Sequence, residues 1–154
     1  MTLPPHLKAL FGALAVLQAI PGLASAEPPP AAVAKPYSTL SSEAFMSRPG
    51  TALLIDVREP EEWTQTGVPR GAALAPISRT DFVENVLASV GGDRTRPVAL
   101  ICRSGTRSMK AADVLAAAGF TNVTNVGDGM IGREGVGAGW LASRLPVIAY
   151  TPAQ

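Results

Sequence analysis

The run Pro97-Val98-Ala99-Leu100-Ile101 carries no charge and no apolar–polar alternation, so it reads as a short strand buried on both faces. A second such run, Ala52-Leu53-Leu54-Ile55, closes on Asp56. Between the runs the spacing turns helical. Asp81 to Val90 puts Phe82, Val83, Val86, Leu87 and Val90 on one stripe, and Gly91-Gly92 ends it. A further helix is expected from about Thr106 to Ala118, capped by Gly119. Ala72 to Pro76 and Val123 to Val126 supply two more short strands. Strands alternating with helices predict an α/β fold, a small parallel sheet with helices on both faces.

The remaining segments fill in around that sheet. In Tyr37 to Ser47, Ser41 is placed to cap a short helix, with Leu40, Phe45 and Met46 assigned to the core. Glu59-Pro60-Glu61-Glu62-Trp63 predicts a short helical turn with Trp63 at the core edge. Gly67 to Gly71 reads as a turn, and Gly127 to Gly139 as a glycine-rich loop. Trp140-Leu141-Ala142-Ser143 is compatible with a helical segment, and a short tail follows from Leu145.

The first 26 residues predict a secretory signal peptide. His6 and Lys8 form a weakly basic start, Ala9 to Ile20 is an uncharged apolar stretch, Pro21-Gly22 breaks it, and Ala24-Ser25-Ala26 is an A-x-A cleavage site. The apolar stretch is shorter than the roughly 20 residues that span a bilayer, which weighs against a membrane anchor. Cleavage leaves a mature chain of 128 residues (154 less 26), exported to a periplasm or secreted, with no membrane span. Glu27 to Pro36, rich in proline and alanine, is expected to be a spacer, and 37–149 to be one folded domain. Of 13 basic residues Lys8 leaves with the signal, so the mature chain balances 12 basic against 12 acidic residues. Such a balance gives no electrostatic case for nucleic acid. The only histidine, His6, leaves as well, which excludes Ser-His-Asp and Cys-His catalysis and argues against a zinc site. No residues support a cofactor or metal. A single cysteine excludes an internal disulfide, and an exported chain that keeps one thiol either buries it well or keeps it for its reactivity.

That cysteine, Cys102, ends the apolar strand. Arg103, Ser104, Gly105, Thr106 and Arg107 follow as a tight loop leading into a helix. Loop and first-turn N–H groups there have no partners of their own, and the helix dipole favours negative charge beside them. Arg103 and Arg107 add two fixed positive charges, so the thiolate form of Cys102 is expected at neutral pH. Asp56 and Arg58, at the C-terminal end of the neighbouring strand, are candidates to line the site, to brace the cysteine loop, or to tie two loops as a structural ion pair.

These residues resemble the rhodanese family, the single-domain sulfurtransferases, over about 36–147. Leu54-Ile55-Asp56-Val57-Arg58-Glu59-Pro60-Glu61-Glu62-Trp63 looks like the family's first signature, and Ile101-Cys102-Arg103-Ser104-Gly105-Thr106-Arg107-Ser108 like its active-site loop. Ala111-Ala112, Leu115, Gly119-Phe120, Val123 and Val126 look like the helix and strand that follow. The sequence departs twice, both times outside the cysteine loop. Gly67-Val68-Pro69-Arg70-Gly71-Ala72 stands where the family has a glycine-histidine-isoleucine-proline-glycine-alanine turn, and Gly127 to Trp140 is longer than the usual ending.

The resemblance implies an enzyme that moves sulfane sulfur from a small anionic donor such as thiosulfate to cyanide, a thiol or a protein acceptor, through a Cys102 persulfide. Backbone N–H groups from Arg103 to Arg107 would hold the persulfide charge without a side-chain base. Two other readings are open. A non-catalytic module of the same fold would carry sulfur or bind a partner. A phosphatase or arsenate reductase of related fold would use Cys-x5-Arg, one residue longer than the Cys102–Arg107 spacing here.

Overall fold

A computed structural model of the chain describes residues 35–48, 50 and 52–152. The leader expected at 1–26, and the 27–36 spacer up to residue 34, lie outside the described residues. In chain order the elements are β1 (Ser38–Leu40), α1 (Ser42–Met46), β2 (Leu53–Asp56), α2 (Pro60–Thr66), β3 (Val68–Pro69), β4 (Ala73–Leu74), α3 (Phe82–Ser89), β5 (Val98–Ile101), α4 (Thr106–Ala117), β6 (Val123–Val126) and β7 (Val147–Ile148).

Five strands form one parallel sheet in the order β1-β6-β5-β2-β4. β5 lies at its centre, and Val98, Ala99, Leu100 and Ile101 are each 0% exposed, as an unbroken apolar run requires. Successive side chains of a strand point to opposite faces, and the core divides accordingly. Ile55, Val57, Val98, Leu100 and Cys102 pack with Phe82 and Val86 of α3 and Ala111, Ala112 and Leu115 of α4. Leu54, Ala99, Ile101 and Val126 face the other way, onto Met130, Trp140 and Phe45 of α1. Helices therefore cover both faces. Each of the larger apolar side chains so buried contributes roughly 1.5–3 kcal/mol. No helix among the described residues is long and apolar enough to cross a membrane.

Where local patterning is strong, the expected elements appear within a residue or two. Ser41 caps α1, its hydroxyl accepting from the Ala44 amide at 3.2 Å. β1 is an addition: Ser38-Thr39-Leu40 has no apolar run, and it is a strand because β6 offers it a partner, with the Ser38 and Thr124 hydroxyls 3.0 Å apart. The Gly67–Gly71 turn contains β3, which pairs antiparallel with β7 from the tail, Val68 opposite Ile148. At Gly67 the backbone sits at φ +73, and a Cβ there would stand 2.6 Å from the Ile148 carbonyl oxygen. Trp140 to Ser143 is a hydrogen-bonded turn, which stops when Arg144 takes φ 54. The core expected from α1 needs one correction. Leu40 and Phe45 are half-buried, but Met46, the last residue of the five-residue α1, is 45% exposed, because so short a helix turns only part of its length to the core.

Candidate active site

The site lies where β5 gives way to α4. Cys102 is the first residue past β5, on the face covered by α4, and is 1% exposed. Its Sγ accepts from the Gly105 amide at 3.1 Å and from the Ser108 hydroxyl at 3.4 Å. Gly105 caps α4 at φ +88, a left-handed conformation that turns its N–H back to the sulfur. A Cβ on Gly105 would collide with the Gly127 carbonyl. Thr106, Arg107 and Ser108 begin α4, so their amides have no helical acceptor and collect at the loop.

The glycine-rich loop holds the cysteine loop from behind. The Cys102 carbonyl accepts from the Met130 amide at 2.9 Å and the Arg103 carbonyl from the Ile131 amide at 3.0 Å. Such close backbone contact needs Gly129, where a Cβ would stand 2.6 Å from both carbonyl oxygens. Asp128 anchors this loop in turn. Its buried carboxylate accepts from the Ser42 amide at 2.8 Å, the Ser42 hydroxyl at 2.7 Å and the Gly139 amide at 3.1 Å. It thereby pins the start of α1 to the loop that backs the cysteine.

The two arginines of the loop separate in role. Arg103 is exposed and makes no ion pair among the described residues. Arg107 is bound bidentately by Glu62 of α2, with both N···O distances 2.6 Å. The fork geometry makes this a strong pair. Arg107 holds the Glu62 carboxyl below the usual carboxylate range, and Glu62 raises the guanidinium further. Arg107 is thus a brace between α2 and α4 that also lends positive potential to the sulfur.

Asp56 and Arg58 form a buried ion pair. They are 0% and 1% exposed, joined through Nη2 to Oδ2 at 2.7 Å and Nε to Oδ1 at 2.9 Å. The rest of the guanidinium donates to the Thr66 hydroxyl at 2.7 Å and the Gly67 carbonyl at 2.8 Å, which ties the end of β2 to the end of α2. Neither side chain hydrogen-bonds to Cys102. Their contribution passes through α2, which presents Glu62 to Arg107. Ser104 is half-buried and Thr106 exposed at the rim.

Three residues of this site were given no role of their own in the sequence. Ser108 lies on the buried face of α4 with Ala111, Ala112 and Leu115, so a polar residue on an apolar stripe, one turn past the cysteine loop, was the available signal. Glu62 belongs to the α2 capping box with Glu59, which marks a helix start and says nothing of Arg107. Asp128 reads as an ordinary loop acid and carries no local signal of burial.

A buried thiol in a strand-to-helix loop, over a parallel sheet, defines an α/β protein whose cysteine sits at the entrance of a helix. The rhodanese-like domain model matches residues 42–132, and the chain belongs to that family. The protein RP600 of Rickettsia prowazekii is 34% identical over 101 residues, 62% of this chain and 81% of that one. The thiosulfate sulfurtransferase GlpE of Pseudomonas syringae is 31% identical over 78 residues, 51% of this chain and 68% of that one. The crystal structure of Rv0390 from M. tuberculosis superposes with a TM-score of 0.56 at 34% identity, covering 74% of this chain and 99% of that one.

Proposed function

We propose that the protein is a sulfurtransferase that carries sulfane sulfur on Cys102. The observation that carries this reading is the sulfur itself, which accepts from the Gly105 amide and the Ser108 hydroxyl in a loop of Cys-x4-Arg spacing. GlpE, a relative named as a thiosulfate sulfurtransferase, supports the choice of donor. The Cys102 thiolate attacks the outer sulfur of thiosulfate. A new S–S bond forms to Sγ, the S–S bond of the donor breaks, and sulfite leaves with the electron pair. The persulfide now bears the negative charge. The Gly105 amide and the free amides at the start of α4 stabilise that charge as it moves outward by one sulfur. Cyanide or an acceptor thiolate then attacks the outer sulfur, the S–S bond of the persulfide breaks and the Cys102 thiolate returns, so a single hard step becomes two displacements. No proton transfer is needed, which suits a domain whose catalytic loop contains no histidine.

The loop spacing favours this over ester hydrolysis. A four-residue ring closes on one sulfur atom, where a tetrahedral oxyanion needs the larger five-residue ring. Arg103 attracts the anionic donor. The leader expected at 1–26 would export the protein, and the acceptor would then be a periplasmic or extracellular thiol or protein thiol. The test is thiocyanate formation from thiosulfate and cyanide, run beside Cys102→Ser. Turnover in the parent and none in the variant is the expected result. No turnover in a folded, reduced parent would overturn the reading, and a screen of phosphate and arsenate esters would follow.

A further inference from the structure

A cleft opens at the other end of the sheet from Cys102. It lies between the end of α1 and the residues leading into β2 and β5, with a volume of about 670 Å³. That size falls within the range of small-molecule sites. β5 runs from one end to the other, and five residue steps of about 3.3 Å put its lead-in Pro97 roughly 16 Å from Cys102. The floor is apolar: Phe45, Leu54 and Trp140 line it, continuous with one of the two core clusters. Its polar wall has one sign. Arg48, Arg70 and Arg96 line the cleft, and among the described residues no aspartate or glutamate does.

The arginines elsewhere set a contrast. Arg58, Arg79 and Arg107 each pair with a carboxylate, whereas none of the three at the cleft makes an ion pair among the described residues. Arg96 is the most engaged of them. It reaches the Val90 carbonyl at 3.5 Å and lends part of its field to Asp93. Arg48 and Arg70 donate no side-chain hydrogen bond among the described residues. Arg70 is held beside the floor by its backbone, because the Pro146 carbonyl accepts both the Arg70 amide and the Trp140 indole N–H, each at 3.0 Å. Arg70 also stands in one of the two stretches where the sequence departs from the family pattern, at the position of its proline.

We propose that this cleft binds a small amphipathic anion, its apolar part against Phe45, Leu54 and Trp140 and its carboxylate, sulfonate or phosphate head between Arg48 and Arg70. Arg48 and Arg70, like charges with no carboxylate partner among the described residues, repel one another, and an anion relieves that repulsion. Guanidinium forks suit planar or tetrahedral oxyanions. A purely inorganic anion would leave the apolar floor wet, and a neutral hydrocarbon would leave the arginines unanswered. The site is independent of Cys102 chemistry and stands or falls separately from it.

Decanoate is the probe, titrated into the full chain, with the Trp140 indole N–H followed by ¹H–¹⁵N NMR. The Trp63 indole, which does not line the cleft, serves as the internal reference. Parallel titrations use decan-1-ol (tail without charge), decyltrimethylammonium (charge reversed) and sulfate (charge without tail). Decanoate is expected to shift the Trp140 signal saturably, to bind at least tenfold more tightly than each of the other three, and to bind equally to Cys102→Ser. The double variant Arg48→Gln/Arg70→Gln, altered at two exposed positions, should bind at least tenfold more weakly while keeping the parent spectrum. No saturable shift at Trp140, equal binding of decan-1-ol or sulfate, or an unaffected double variant would each overturn the proposal.

Discussion

Gly105→Ala tests whether the cysteine loop depends on backbone geometry that only glycine allows. Two costs add. At φ +88 an L-residue is in the left-handed region, which costs about 1–2 kcal/mol. The new methyl also collides with the Gly127 carbonyl, a backbone atom with no room to retreat, and forced overpacking adds about 1–3 kcal/mol. Gly91→Ala isolates the first cost, since Gly91 sits at φ +69 beyond α3 with nothing within 4 Å of its would-be Cβ. For a domain of this size, roughly 4 °C of melting temperature follows each kcal/mol. Gly91→Ala should therefore lose about 4–8 °C and keep its activity, and Gly105→Ala about 8–20 °C. Relieving the collision moves the amide that lies 3.1 Å from Sγ, and losing one such donor costs about a hundredfold in rate. Thermal unfolding by circular dichroism, with thiocyanate initial rates measured well below either transition, gives both quantities. A Gly105→Ala protein that melts with Gly91→Ala and turns over within twofold of the parent would refute the reasoning.

Other expectations rest on single contacts. Ser108→Ala removes the second donor to the sulfur, 3.4 Å away, and should slow persulfide formation about tenfold with an unchanged melting temperature, measured by stopped-flow sulfite release. Glu62→Gln should cost about 1 kcal/mol at neutral pH, a partly exposed bidentate pair being discounted for screening. Because Arg107 holds the Glu62 carboxyl below its usual 4.5, that contribution is fully present above pH 4.5 and fades as pH falls through the lower folded value. Melting curves of parent and variant should accordingly converge in acid, and a gap that persists at pH 2 would count against the pair. Asp56→Asn leaves the Arg58 guanidinium buried without its counter-charge and should cost about 3–5 kcal/mol by chemical denaturation, while any active fraction keeps its KM for thiosulfate.

The residues show why some of this was legible and some was not. β2, β5, α3 and α4 declare themselves through apolar runs and 3.6-residue spacing, properties contained within each segment. β3 and β7 are two residues each and exist only because Val68 meets Ile148, some 80 positions away, so no local window holds the signal. β1 is similar, a polar triplet recruited by β6. Cys102 stood out as the lone cysteine after a buried strand. Its supports did not, because a serine on a helix face and a glutamate in a capping box look like surface residues until the sheet brings α2 and α4 together. Arg107 stands out in sequence as a charge, or a brace, at the cysteine loop, but nothing local names Glu62 as its partner.

The most direct test of the central claim is the mass of the protein after thiosulfate. Incubating the full chain with thiosulfate, removing the excess and weighing the tryptic peptide that holds Cys102 should show a gain of about 32 Da, one sulfur, which cyanide removes as thiocyanate. Cys102→Ser should show no gain. A folded, reduced parent whose Cys102 peptide gains nothing, or gains a mass that cyanide leaves in place, would contradict sulfur transfer through this residue.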